Sequence, residues 1–289
     1  MAASGVLFAL MNFFAKLANT SAGWAMVGFV RAFVGALVAI AVARASRRSL
    51  GAHDKKAVLL RSVLGTISMI GTFYALSSRS LSLGNTVTLL YLTPVFLALL
   101  APIFLGEKTT RAVFLGILVS LSGVVLVVRP SFLFGADSLA LTSEAGPTAG
   151  VTAAVAVGVA LTSSLAMMAL RRVGKTETPE SVAMHFSLFA SMVLGVVAVT
   201  DLRLPTARDA MFMTLAGVCA GFGQIAMGRA YARETAARVG ALMYVAPVTS
   251  ALLGALALAE VPSALATLGM FLVISGGLAV TFTRNPSPR

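Results

Sequence analysis

Long apolar stretches alternate with short polar interruptions along the whole chain. The stretches are too long for strands and too uniformly apolar for helices with one wet face. A bilayer core is crossed by about 20 apolar residues, each rising ~1.5 Å. By that measure ten segments predict membrane-crossing helices: 2–18, 24–43, 58–77, 84–105, 112–129, 149–169, 182–200, 210–229, 237–258 and 264–283. The first lacks a charged n-region and a small-residue cleavage site, so it reads as a retained helix rather than a signal peptide. Most connections are short, as between antiparallel neighbours in one bundle. The longest, PSFLFGADSLALTSEAGPT, carries Pro, Gly, Ser and two acids and reads as a surface linker.

Composition agrees with lipid as the solvent. Hydrophobic residues make up 58% of the chain and charged ones 11%, with a mean hydropathy of +0.94. A soluble domain carries about 25% charged residues. The single cysteine, Cys219, excludes a disulfide within the chain. The net charge of +12 forms no basic face or tract, which argues against nucleic acid as a partner. Instead the cations cluster between apolar runs, where they set orientation. With the N-terminus in the cytoplasm, the inside connections and tail hold Arg44, Arg47, Arg48, Lys55, Lys56, Arg61, Lys108, Arg111, Arg171, Arg172, Lys175, Arg229, Arg233, Arg238, Arg284 and Arg289. The outside then holds only Lys16, Arg79, Arg129, Arg203 and Arg208. Both termini are therefore expected inside.

One segment is written twice. TLLYLTPVFLALLAPIFLGEK at 88–108 returns as ALMYVAPVTSALLGALALAEV at 241–261. A shift of 153 residues pairs Tyr91 with Tyr244, Pro94 with Pro247, Glu107 with Glu260, Gly116 with Gly269 and Gly123 with Gly276. A weaker match at offset 151 sets Ala9-Leu10 on Ala160-Leu161 and Asn12 on Ser163. Each half thus holds five helices, and an odd number turns the second copy upside down in the membrane. The expected fold is all-α and polytopic, with ten transmembrane helices in two inverted five-helix repeats. Residues 1–130 form the first repeat, 131–148 an extracytoplasmic linker and 149–289 the second. Inverted repeats are an architecture of secondary transporters, with the substrate near the midplane between the halves. Each repeated proline deprives a carbonyl four residues earlier of its donor, Leu90 for Pro94 and Met243 for Pro247. Such a group persists in a membrane only where protein or water meets it, so the two kinks are expected to line an aqueous path and act as gates.

At these residues the sequence resembles the EamA family of the drug/metabolite transporter superfamily. The resemblance rests on Leu92-Thr93-Pro94, Gly106-Glu107, Gly116 and Gly123. The second copy stands as Val245-Ala246-Pro247, Ala259-Glu260, Gly269 and Gly276, departing from the pattern at the threonine and at the first glycine. The resemblance implies a polytopic carrier of small metabolites, often amino acids, commonly moved outward. The expected location is the bacterial inner membrane, with lipid and a small-molecule substrate as partners, no cofactor, and function as a monomer.

The candidate substrate-binding residues are polar groups within apolar helices: Tyr91, Tyr244, Asn12, Gln224, Tyr74, Ser163 and Arg31. For each of these, helix-to-helix hydrogen bonding is the plain alternative. Arg31 lies seven residues beyond Trp24, a charge inside the bilayer that suggests a cavity or pairing within the bundle. The gating candidates are Pro94 and Pro247. His185 belongs near the cytoplasmic interface, and Glu107 and Glu260 are expected to anchor helix ends. The remaining carboxylates fall in predicted loops, so the buried acid usual for proton or sodium coupling is missing. Gly174-Lys175-Thr176 imitates a phosphate loop, but its first glycine is replaced by Ala169 and no strand precedes it. Gly217 and Gly221 form a small-xxx-small pair suited to close packing inside the bundle. An intramembrane enzyme is the rival function, but it needs a His/Asp/Glu cluster, a metal site or an activated Ser or Cys. Two histidines, one cysteine and no midplane acid favour a carrier. A hydrophobic or aromatic amino acid suits such a path; nucleobases, sugars and drug-like solutes are the other classes.

Overall fold

The computed structural model describes residues 1–18, 23–77, 83–128, 131–134, 147–200, 204–258 and 263–282. Every regular element among them is helical: α1 (Ala2–Ala18), α2 (Trp24–Ala45), α3 (Lys55–Ser77), α4 (Leu83–Leu90), α5 (Thr93–Leu105), α6 (Arg111–Val128), α7 (Ser131–Phe134), α8 (Pro147–Val173), α9 (Pro179–Thr200), α10 (Ala207–Arg233), α11 (Ala236–Ala241), α12 (Val245–Leu258) and α13 (Ala264–Phe282). A 3₁₀ turn, Leu242–Tyr244, joins α11 to α12. The ten predicted segments are all present, the fourth as α4 with α5 and the ninth as α11 with α12. Seven stretches are long and apolar enough to cross a bilayer: Trp24–Ala45, Lys55–Ala75, Asn85–Leu105, Arg111–Val128, Gly150–Val173, Pro179–Thr200 and Ala207–Arg233. Shorter apolar helices cover Ala2–Ala15 and Ala264–Val280. The centre of the predicted linker (135–146), Glu260, Arg79, Arg129, Arg203, Arg284 and Arg289 lie outside the described residues.

Several helices run past the predicted apolar limits. α8 continues through Arg171 and Arg172, and α10 ends on Arg233. Cations are favourable beside C-terminal carbonyls, and their long stems cover apolar surface. α9 begins earlier than expected, with Pro179 in the first helical positions and Glu180 in the first turn. Glu180 and Asp209, expected in loops, are therefore buried helical residues. Asp209 donates its backbone N–H to the Thr206 hydroxyl, which caps α10 at 3.2 Å.

Compactness divides the chain into two units, and each draws on both sequence halves: Met1–Thr66 with Ala169–Glu234, and Ile67–Met168 with Thr235–Arg289. In the first unit, α2 packs on α9 and α10, and α1 packs on α10. The buried face of α2 is a seam of small residues, Ala32, Gly35, Ala36, Ala39 and Ala43. Gly35 meets the backbone of α10 at Gly217 and Gly221, and those glycines in turn receive Val34 and Val38. The small-xxx-small pair thus serves close packing within the bundle, where dispersion between approaching backbones replaces a hydrophobic drive that lipid does not supply.

In the second unit, α6 crosses α13. A Cβ placed on Gly123 would lie 2.5 Å from the Gly269 carbonyl oxygen, and one on Gly276 would lie 2.6 Å from that of Gly116. Gly123 therefore faces Gly269, and Gly116 faces Gly276, although the sequence repeat pairs 116 with 269 and 123 with 276. Exchange of partners in this sense is what a two-fold axis between antiparallel helices produces. Ser120 lies near that axis and donates its hydroxyl to the carbonyl of Val273, its own repeat partner, at 3.4 Å.

Candidate functional site

The repeated tyrosine-proline segments meet in the second unit. A kinked helix was expected, and the first copy has one: α4 ends at Leu90, Tyr91 and Leu92 form a turn whose N–H groups still reach the Val87 and Leu89 carbonyls, and α5 restarts at Thr93 with Pro94 in its first turn. The carbonyl of Leu90, expected to lack a donor, accepts the Thr93 hydroxyl at 2.9 Å. The second copy keeps helical winding through the tighter 3₁₀ turn and carries Ala246 where the first has Thr93. Tyr244 is wholly buried, and its hydroxyl donates to the Tyr91 carbonyl at 3.1 Å. The two rings lie 6.0 Å apart, tilted by 36°. Pro94 and Pro247 are both buried. Tyr91 is only half-buried, and its hydroxyl is tied to none of the described residues.

Gly106 closes α5 in the left-handed conformation at φ 65°, a backbone state that glycine adopts without penalty. Glu107 then turns back so that its Oε2 accepts the Ala236 N–H at 2.7 Å, capping α11. The expectation that Glu107 anchors a helix end holds. Ser163 shares a short hydrogen bond with Ser68 on α3, and Tyr74, 50% exposed, stands further along the same helix.

The first unit holds the other candidates. Arg31 reaches the Met11 sulfur from Nη1 at 3.2 Å, which places the guanidinium against α1. Asn12, the next residue on α1, is exposed, and Gln224 on α10 is half-buried. His185 has Nδ1 2.8 Å from the Ser181 carbonyl, a contact that requires a proton on Nδ1. It borders a cavity of about 540 Å³ together with Lys55, Ser62 and Phe189, at the end of the unit where the basic 44–56 connection lies.

Sequence reasoning missed Arg61. Counted with the basic connection before the third segment, it instead lies within α3 and is 2% exposed. Its guanidinium carbon sits 4.6 Å from the centre of the Phe186 ring. Gly65, one turn on, makes the room: a Cβ there would overlap Arg61 Nη1 and approach the Phe186 ring edge at 2.8 Å. Among the described residues no acceptor bonds Arg61 Nε or Nη1. The glycine at i+4 was the one local signal.

In this unit the buried Glu180 and Glu177 each bond through Oε1, and Glu177 Oε2 is buried with no hydrogen-bond partner among the described residues. Glu180 Oε1 pairs with Arg229 Nη2 at 2.6 Å, and Glu177 Oε1 accepts the His53 and Asp54 N–H groups at 2.8 Å each. Among the described residues, carboxylates occur only at helix ends or in connections, and no group of three or more His, Cys, Asp or Glu is placed to hold a metal.

Comparison with known proteins places this arrangement. The pseudopaline exporter CntI of Pseudomonas aeruginosa is 27% identical over 279 residues, covering 96% of this chain and 93% of that protein. Human solute carrier family 35 member G1 is 32% identical over 191 residues, 63% of this chain and 50% of that protein. A solved crystal structure matches with a TM-score of 0.84 over 97% of this chain and 94% of its own, at 20% identity, a likeness of fold. The profile of the EamA-like transporter family matches twice, over residues 1–129 and 150–282. Two family matches, ten apolar segments and a two-fold crossing of repeated glycines agree, and the chain belongs to the EamA-like transporter family.

Proposed function

We propose that this transporter moves small zwitterionic metabolites, hydrophobic and aromatic amino acids foremost, outward across the cytoplasmic membrane by alternating access. The observation that carries the reading is the chemistry of the helix interiors. Among the described residues these offer hydroxyls, amides and arginines but no mid-helix carboxylate. Amino groups can be met by tyrosine and amide oxygens, and carboxylates by amide or guanidinium donors. Asn12 is exposed on an apolar helix, a placement that is costly against lipid and favourable against a wet path. Gln224 and Arg31 are the other proposed substrate-binding residues of the first unit, and Tyr91, Tyr244, Tyr74 and Ser163 those of the second. Sugars need many more polar partners than this set provides.

Coupling follows from the same inventory. Obligatory proton transport uses a titrating group in the pathway, usually a buried Asp, Glu or His. His185 is committed to the Ser181 carbonyl near the start of α9, and among the described acids Glu180 pairs with Arg229 while Glu107 caps α11. The protein therefore works as a facilitator, and export follows when the cytoplasm is the richer side. Proteoliposomes loaded with phenylalanine are expected to show counterflow with no pH or voltage gradient, and His185→Ala to retain most of it. Strict dependence on an imposed proton gradient, lost with that substitution, would overturn the facilitator reading. Stabilisation by sugars or nucleotides, with indifference to every amino acid, would overturn the substrate class.

The distribution of basic connections supports cytoplasmic termini. In a Cys219→Ala background, an impermeant maleimide on intact cells is expected to label Ser138→Cys and spare Ser46→Cys. The reverse pattern would invert the topology. A second cargo reading, pseudopaline, is supported by the nearly end-to-end match to the exporter named for it. Competition of pseudopaline against phenylalanine counterflow separates the two.

A further inference from the structure

The cavity of about 540 Å³ at the basic end of the first unit has no part in the transport reading above. Part of its wall is the connection before α3, which is fastened to the start of α9. Thr178 donates its hydroxyl to the Ser49 carbonyl at 2.8 Å, and Ser181 donates to the Leu50 carbonyl at 3.1 Å. Glu177 Oε1 accepts the His53 and Asp54 N–H groups at 2.8 Å each. These bonds fix Gly51 and Ala52, which line the cavity, relative to α9.

The lining changes character along the helices. Lys55 opens α3, and Leu59 and Ser62 follow one and two turns later on the same face. The Ser62 hydroxyl is engaged by the Val58 carbonyl at 2.9 Å, and the His185 Nδ1 proton by the Ser181 carbonyl. What remains is a cation at one end and an apolar wall of Val58, Leu59 and Phe189 beyond it. On α9 the face that carries His185 and Phe189 continues to Met192 and Val196, which are 72% and 71% exposed. The cavity is thus the end of an exposed apolar stripe, which in a bilayer meets acyl chains. Among the described residues no acid lines it, and Lys55 makes no ion pair. Asp54, the one acid of the 44–56 connection, accepts the Ala57 N–H at 3.0 Å and is outnumbered by Arg44, Arg47, Arg48, Lys55 and Lys56.

We propose that this cavity binds an anionic phospholipid of the cytoplasmic leaflet, with its phosphate at Lys55 and an acyl chain along Leu59 and Phe189. Charge complementarity selects the occupant, since a basic rim without a lining acid attracts an anionic head group. A zwitterionic head group brings its own cation and gains less from the same rim. A water-soluble solute has no use for the apolar stripe that runs on from the cavity. The inference is independent of the cargo, and only the choice of leaflet rests on the topology read from the basic connections.

The test uses the full chain in nanodiscs made from equal amounts of phosphatidylglycerol and phosphatidylcholine with the same chains. Native mass spectrometry then reads which lipid stays bound on release. Wild type is expected to retain phosphatidylglycerol over phosphatidylcholine by about fivefold, the effect of one lysine near the membrane surface. Lys55→Gln is expected to bring that preference close to parity. Lys56→Gln, next in the chain but outside the lining, is expected to keep it. Leu59→Trp fills the cavity without changing charge and is expected to lower retention of both lipids. Both lysines are exposed, so neither substitution threatens the fold. Equal retention of the two lipids by wild type would overturn the proposal. Equal losses in Lys55→Gln and Lys56→Gln would overturn it as well, because they would report only the general field of the basic connection. Loss of phenylalanine counterflow in Lys55→Gln with an unchanged lipid preference would make the cavity the mouth of a solute path instead.

Discussion

Where α6 crosses α13, Gly123 lies against Gly269 as Gly116 lies against Gly276, so each copy of the repeat offers the other the same small residue at an equivalent place. At the paired prolines the copies behave differently. The first interrupts its regular winding with a turn at Tyr91 and Leu92 and meets the Leu90 carbonyl with the Thr93 hydroxyl. The second tightens into a 3₁₀ turn without a threonine and sends the buried Tyr244 hydroxyl across to the Tyr91 carbonyl. A crossing of two backbones has one geometric solution, which duplicated sequences both satisfy. A proline leaves an unpaired carbonyl, and that has several solutions. Symmetry is kept where packing leaves no choice and lost where hydrogen bonding offers one.

The crossing gives the largest expected effect. Gly123→Leu and Gly269→Leu each drive a side chain into facing backbone, which cannot rotate away as a side-chain tip can. Each is expected to cost about 3 kcal/mol or to prevent folding in detergent, by similar amounts. Thermal unfolding of the two variants reads this directly. Tolerance of one and loss of the other would mean that the copies are not equivalent at the crossing.

The tyrosines come next, and here the variants should differ. Tyr244→Phe removes the donor to the Tyr91 carbonyl in a buried site and is expected to cost about 1–3 kcal/mol. Tyr91→Phe removes a hydroxyl tied to none of the described residues and is expected to stay within about 0.5 kcal/mol. If Tyr91 contacts the substrate, the same substitution lowers counterflow while leaving the melting temperature alone. Equal destabilisation by both would make the observed asymmetry energetically empty.

Much of this architecture could be read before any coordinates, for a physical reason. Crossing a bilayer sets a length and an apolarity that composition alone reports, and a constant offset of 153 exposes the duplication. Ends were harder. An apolar count stops at the first charge, whereas α8 and α10 continue through arginines and α9 begins with Glu180 in its first turn. Arg61 was misread for the same reason: a cation close to a basic connection looks like part of it, and burial depends on which helices arrive opposite. The exchange of glycine partners between α6 and α13 depends likewise on helix direction in space. The turn at Tyr91 was half legible, because a threonine before the proline is a local donor for the carbonyl that proline frees.

The smallest expected effect tests that last point. Thr93→Val keeps the shape of the side chain and removes the hydroxyl, leaving the Leu90 carbonyl without its 2.9 Å partner at an expected cost of about 1 kcal/mol. Pro94→Ala supplies a backbone N–H that can reach the same carbonyl, so the helix can wind regularly through the turn. In the wild type that carbonyl is already served by Thr93, and Pro94→Ala alone gains little. In a Thr93→Val background the new N–H becomes the only donor, and the double variant is expected to recover most of the loss. A double-mutant cycle on melting free energy should therefore show coupling of about 0.5–1 kcal/mol at the first copy. The matching change at the second copy, Pro247→Ala, has no threonine to couple to. Counterflow adds a second reading: if the turn serves gating, the stable double variant exchanges substrate more slowly than wild type even though its fold is restored. Additive energies with wild-type exchange would reduce Thr93 and Pro94 to independent packing residues and remove the functional reason for treating the two copies differently.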